Sequence, residues 1–133
     1  RVIMARPVLV DACGWVALIE GGVHLDHAMA EVVGVADLIV LPEVRQELAR
    51  LSSTRRGLML ELLDERATSA DIGLTTLLTD VRHTDDQLVL AAEHLSADVL
   101  TVDIGLKRRL FGVGIPFIEV VGEQRLRRVV PGD

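Results

Sequence analysis

Short continuous apolar runs recur along the chain, separated by stretches in which apolar positions return every three or four residues. The first pattern is that of buried strands and the second that of amphipathic helices. Pro7-Val8-Leu9-Val10-Asp11 reads as a strand ending in a carboxylate. Helices are predicted from Trp15 to Glu20 and, after the Gly21-Gly22 break, around His27 to Val33. Leu38-Ile39-Val40-Leu41 is a second strand. Pro42 suits the first turn of the helix that follows, where its missing N–H is not needed, and Val44, Leu48 and Leu51 carry the helical period. Residues 54–66 form a further helix with Leu58, Leu62 and Leu63 on one face, and a short third strand is expected near Ala70–Gly73. Thr84-Asp85-Asp86-Gln87 has the form of a capping box, with a helix from Leu88 to Leu95 behind it. Asp98-Val99-Leu100-Thr101-Val102 is a fourth strand, Leu106 to Leu110 a short basic helix, and Pro116 to Val121 a fifth strand. Strands alternating with helices imply a parallel sheet covered on both faces. The expected fold is a three-layer α/β/α domain with a central parallel sheet of four to five strands. One domain is expected over residues 1–133, with a core of about 7–121 and a basic C-terminal tail over 122–133.

That topology places the C-terminal end of every parallel strand, and the start of each following helix, along one edge of the sheet, where open α/β sheets bind ligands. Asp11 and Asp103 end strands there. Glu47 lies in the second turn of the helix after the second strand, and Asp86 in the first turn of the helix before the fourth. Four carboxylates brought together would raise one another's pKa, and a hard divalent cation such as Mg²⁺ or Mn²⁺ removes the conflict. Taken singly, each acid has a plainer explanation. Asp85 and Asp86 favour a helix N-terminus, Glu43 and Glu47 can form a solvated face with Arg45 and Arg50, and Asp103 can be an N-cap. Asp11 is the hardest to explain so, because a charge ending a buried strand is costly unless paired.

Composition narrows the chemistry. The net charge of −6 over 133 residues gives no general affinity for polyanions, so a nucleic acid would have to be held by a local basic patch or by bound cations. One Trp, two Phe and no Tyr exclude modules that stack bases on a row of aromatics. Cys13 is the sole cysteine, which excludes a disulfide framework and a thiolate zinc cluster and suits a cytoplasmic setting. No apolar run reaches the ~18–20 residues of a membrane span, and no signal peptide is expected. The His24/His27 pair lacks further soft ligands. The turn Asp11-Ala12-Cys13-Gly14-Trp15 is neither a dinucleotide fingerprint nor the Asp-x-Asp of a phosphate-transferring hydrolase, and no P-loop is present.

In order along the chain, Val8-Leu9-Val10-Asp11, then Pro42-Glu43-Val44-Arg45-Gln46-Glu47-Leu48, then Asp85-Asp86-Gln87-Leu88-Val89, then Leu100-Thr101-Val102-Asp103 resemble the motifs of the PIN-domain (PilT N-terminus) nucleases. The closing Leu106-Lys107-Arg108-Arg109-Leu110 and Gly114-Ile115-Pro116-Phe117-Ile118 look most like the branch associated with ribosomal-RNA processing, of archaeal type. The resemblance implies a Mg²⁺- or Mn²⁺-dependent endoribonuclease. Asp11, Asp86 and Asp103 are then metal ligands, Glu47 ligates a second metal or orients the attacking water, Thr101 supports the ligands, and Asp85 is the alternative to Asp86. Lys107, Arg108, Arg109, Arg45 and Arg50 would hold RNA, with Arg55, Arg56, Arg125, Arg127 and Arg128 extending the track. Besides RNA, the implied partners are a ribosome-assembly protein or an antitoxin, with a homodimer compatible and no membrane. Two other functions share the pattern: a VapC-type ribonuclease toxin of a toxin–antitoxin pair, and a non-catalytic RNA-binding scaffold, against which the four intact acids argue. Cys13 departs from the Asn or Ser common two residues after the first Asp, and Ile104 and Gly105 occupy a stretch where some members carry a further acid.

Overall fold

Val8, Leu9 and Val10 are all fully buried, so the first strand is covered on both faces and forms the centre of the sheet. The computed structural model describes residues 5–21, 24–51, 53–122 and 125–132, and the side chains of all of these but 53–56, 58 and 59. In chain order the elements are β1 (Arg6–Val10), α1 (Ala12–Glu20), α2 (Leu25–Val32), β2 (Ala36–Val40), α3 (Pro42–Ala49), α4 (Ser53–Arg66), β3 (Ala67–Ser69), α5 (Ile72–Leu77), α6 (Thr84–Leu95), β4 (Asp98–Leu100), α7 (Ile104–Gly112), β5 (Phe117–Val121) and β6 (Arg125–Val129). The sheet runs β3-β2-β1-β4-β5-β6, parallel throughout except for the antiparallel β5–β6 pair. The chain steps one way from β1 through β2 to β3, then returns to lay β4 on the other side of β1. The order therefore reverses between β1 and β4, and that is where an open α/β sheet leaves a crevice at its C-terminal edge. Helix α1 packs on α3 and α4, α6 on β1 and β4, and α7 on β5.

The register makes the crevice specific. Val10 stands opposite Leu100, and the Asp11 N–H donates to the Leu100 carbonyl at 3.0 Å. The next residues on the two chains, Asp11 and Thr101, are consequently neighbours. Gly14 is required for this approach: a Cβ there would lie 2.7 Å from the Leu100 carbonyl oxygen, so α1 could not come down onto β4 with any side chain at that position.

Three sequence expectations are corrected. The third strand lies at Ala67–Ser69, directly after α4, rather than near Ala70–Gly73. Asp71 is the N-cap of α5, its Oδ1 accepting the Leu74 N–H at 2.8 Å, and this turns the chain out of the sheet. Thr84 does not close a capping box. His83 occupies the cap position without a side-chain bond, Thr84 begins the helix, and the Gln87 amide donates to the Val81 carbonyl at 2.7 Å. The sheet has six strands rather than four or five, because the basic tail contains β6.

Strand β6 is held by charge. Asp98, wholly buried at the start of β4, accepts from Arg6 Nε at 3.2 Å and Nη2 at 2.9 Å, and from Arg128 Nε at 2.6 Å. Arg127, opposite Glu119 in the register, donates to it through Nε at 2.9 Å, and Lys107 of α7 reaches the same carboxylate at 3.0 Å. Burial pulls the Glu119 carboxyl upward, but the hydrogen bonds and charges of Arg127 and Lys107 outweigh it and hold the group below its usual range. Removing the acid from the Asp98 clamp would leave two partly buried guanidinium groups without an acceptor. Asp98→Ala is therefore expected to lose about 3 kcal/mol in urea denaturation. Asp98→Asn, which keeps an acceptor oxygen, is expected to lose less.

Candidate active site

Asp11 is the N-cap of α1 and sits 7% exposed at the reversal point between β1 and β4. Its Oδ1 accepts the Ala12 N–H at 2.8 Å; its Oδ2 accepts the Thr101 hydroxyl at 3.0 Å and the Cys13 thiol at 3.2 Å. The fully buried Thr101 passes the connection on, its oxygen accepting the Asp103 N–H at 3.1 Å. Asp103 caps α7 by accepting the Leu106 N–H on Oδ1 at 2.7 Å. Two helix N-termini are thus aimed at the crevice, and their positive ends offset part of the charge on the two acids.

The third acid in this field is Asp85. Its carboxyl is held above the usual range, first by partial burial and then by the negative charges of Asp11 and Asp103, with Asp86 adding and Arg109 opposing. Asp86 turns aside to Arg109, whose Nη1 lies 2.6 Å from its Oδ1. Asp85, the alternative within the pair, is the one whose carboxyl is raised by partial burial and by Asp11 and Asp103. Glu47 enters through α3, its Oε1 accepting the Thr84 hydroxyl at 2.8 Å, which fastens α3 to the start of α6.

The donor set is one of carboxylate oxygens, and the like-charge stress on Asp85 persists with Arg109 beside it. Both features fit a hard divalent cation. Among the described residues, no group of three His, Cys, Asp or Glu side chains is disposed to hold a metal ion as it stands. The acids are grouped around the crevice without forming a closed shell.

The basic residues divide. Arg45 is tied to Asp64 at 2.7 Å, and Lys107 to Glu119, so both hold elements together. Arg109 stands at the rim of the acidic group. Arg50 and Arg108 are exposed, and among the described residues neither has a charged partner. Arg125 is exposed, while Arg127 and Arg128 serve the sheet. The side chains of Arg55 and Arg56 lie outside the described residues.

Residues 8–123 match a family model described as a PIN like domain. The chain belongs to the PIN-like domain family. Among solved structures, the PIN domain endonuclease Utp24 is similar to it with a TM-score of 0.71 and 21% identity, over 93% of this chain and 92% of that one. That likeness is one of fold. No curated protein matches the chain in sequence. Among the described residues no helix is long and apolar enough to cross a membrane.

Within this PIN-like site, sequence reasoning missed two side chains. Cys13 is one of them. Burial pushes its thiol up, with the Asp11 charge adding and hydrogen bonds to Thr101 and the Val102 backbone opposing, so it stays a proton donor to Asp11. Its position two residues beyond Asp11, in the first turn of the capped helix, was the available signal. Thr84 was read as a cap, and its bond to Glu47 depends on a helix 37 residues away in sequence.

Asp85 yields a pH prediction. Because its folded pKa is raised, the folded chain binds a proton there more readily than the unfolded one. Its contribution is favourable at low pH and is lost as pH rises through the ordinary Asp range to the raised value. Asp85→Asn in EDTA is expected to melt higher than the wild type at pH 7, with the gap closing below about pH 4. Thermal unfolding followed by circular dichroism at several pH values checks this.

Proposed function

We propose that this chain is a metal-dependent endoribonuclease that hydrolyses RNA phosphodiester bonds, acting in RNA processing of the ribosomal kind. The observation that carries the reading is the hydrogen-bonded line from Asp11 through Thr101 to Asp103 at the reversal point of the sheet, with Asp85 in the field of both acids. A PIN-like fold shared with an endonuclease along nearly the whole chain supports it. The Leu106-Lys107-Arg108-Arg109-Leu110 and Gly114-Ile115-Pro116-Phe117-Ile118 segments, which resemble those of the ribosomal-RNA-processing branch, favour the processing role over the toxin role.

Asp11, Asp85 and Asp103 would hold Mg²⁺ or Mn²⁺, with Asp86 kept for Arg109. When bound, such an ion lowers the pKa of a coordinated water and offsets the negative charge that develops on the phosphoryl oxygens. The protein's own residues do the rest. Thr101 and Cys13 fix the Asp11 carboxylate, so its orientation does not depend on the ion. Thr84 fixes Glu47 through Oε1, leaving Oε2 to accept the proton of the attacking water as the new P–O bond forms and the old one breaks. Arg109, tethered by Asp86 at the rim, meets the phosphate backbone of RNA as it approaches, and Arg108 extends that contact.

Purified protein with labelled structured RNA is expected to give cuts in Mg²⁺ or Mn²⁺ that EDTA abolishes; unchanged cleavage in EDTA overturns the metal mechanism. Asp11→Asn is expected to lower the cleavage rate by a factor of roughly 100 or more while the folded circular-dichroism spectrum is kept. Asp85→Asn is expected to lose more activity than Asp86→Asn, and the reverse order would return the metal-facing role to Asp86. Replacing Arg108 and Arg109 together by Ala is expected to make RNA binding less salt-dependent, by roughly one unit of log–log slope per lost contact. A slope equal to the wild type's would remove both from the RNA path.

A further inference from the structure

A half-open cavity of about 380 Å³ lies between the start of α3, the end of α5 and the first turns of α6. Glu43 stands one helical turn before Glu47 on α3, and Gln87 stands one turn after Thr84 on α6. The cavity is therefore within about one turn, ~5 Å, of the Thr84–Glu47 hydrogen bond. Its volume is in the range of small-ligand pockets. Pro42, Leu78 and Val81 give it apolar walls, and Glu43 and Arg82 bring opposite charges to its lining. Among the described residues, these two form no ion pair with each other or with any other side chain, although other acids and arginines of the chain pair readily. Gln87 is buried, and its amide nitrogen is used by the Val81 carbonyl, which leaves its oxygen as the amide's acceptor for the cavity.

A cavity with partly apolar walls, an uncommitted carboxylate and an uncommitted guanidinium suits a flat ligand carrying adjacent donors on one edge and adjacent acceptors on another. Among the RNA bases guanine has that pattern. Its N1–H and N2–H₂ donors match a carboxylate, and its O6 and N7 acceptors match a guanidinium. Adenine, cytosine and uracil each place an acceptor beside the donor that Glu43 would take, so a carboxylate opposes them. We infer that this cavity is a base-specific subsite for an unpaired guanosine next to the cleaved phosphodiester, read by Glu43 and Arg82. This rests on the nuclease reading for its place beside a cleavage point, but the recognition of the base does not depend on turnover.

The test separates the two. The full chain is titrated in EDTA with GMP, AMP, CMP and UMP, followed by amide chemical shifts. GMP is expected to bind about tenfold more tightly than the other three, the discrimination of one good bidentate contact. Glu43→Gln is expected to erase that preference, and Arg82→Ala to weaken GMP binding. Both side chains stand away from the core, and thermal melting confirms that each variant folds. In parallel, cleavage of a random-sequence RNA in Mg²⁺ is expected to place wild-type cuts beside G and to spread them over all bases in Glu43→Gln. Equal binding of the four nucleotides, no binding, or a GMP preference that survives Glu43→Gln overturns the subsite. A chain that cuts RNA but binds the four nucleotides alike keeps the nuclease and loses the subsite. A GMP preference lost in Glu43→Gln, in a chain that cuts no RNA, keeps the subsite and overturns the nuclease.

Discussion

The carboxylate of Asp11 is bonded to its own helix, to Thr101 on the neighbouring strand end and to Cys13, and the rest of the crevice is arranged around those bonds. A buried carboxylate is tolerated only where donors replace the water it has lost. Here the donors come from two elements that meet only if β1 and β4 are in the observed register and Gly14 admits the close approach. The Thr101 oxygen then accepts the Asp103 N–H, so the start of α7 is set by the same hydrogen-bonded chain. Capping, strand register and site geometry are one constraint seen at three scales.

The central strands carry acids at both ends, and the two ends are treated differently. At the N-terminal end of β4, Asp98 is enclosed by Arg6 and Arg128, and its charge is answered within the fold. At the C-terminal ends, Asp11, Asp103 and Asp85 receive backbone N–H groups, a hydroxyl, a thiol and the partial help of Arg109, and the Asp85 carboxyl remains under like-charge stress. The like-charge stress on Asp85 distinguishes the C-terminal edge from the N-terminal one.

Much of this was legible in the chain. Asp11 and Asp103 stand where apolar runs stop, and Glu47 and the Asp85-Asp86 pair stand at helix starts, so a parallel topology alone sends them to one edge. What local pattern does not hold is rotation about a helix. Asp85 and Asp86 differ by about 100° around α6, so Asp86 pairs with Arg109 while Asp85 lies in the field of Asp11 and Asp103. The sixth strand was hidden for a related reason: Arg128 takes a position where an apolar residue would have signalled a strand, because its partner is a buried acid 30 residues earlier. Asp98 gave no sign of its clamp, since Arg6 lies 92 positions away in sequence. The third strand was misplaced because three edge residues, two of them exposed, carry too little pattern to be found.

The separation in sequence between Asp11 and Thr101 has a kinetic consequence. Their hydrogen bond closes a loop of some ninety residues, and long loops of this kind close late, after local helices and hairpins have formed. Asp103 is not set against Asp11 until β4 has docked beside β1. A chain still emerging from its own translation therefore holds helices, basic side chains and single carboxylates, but not the group of them. The crevice is completed by a contact of long sequence separation, and a copy in which it has not formed carries the ingredients of the site without its arrangement.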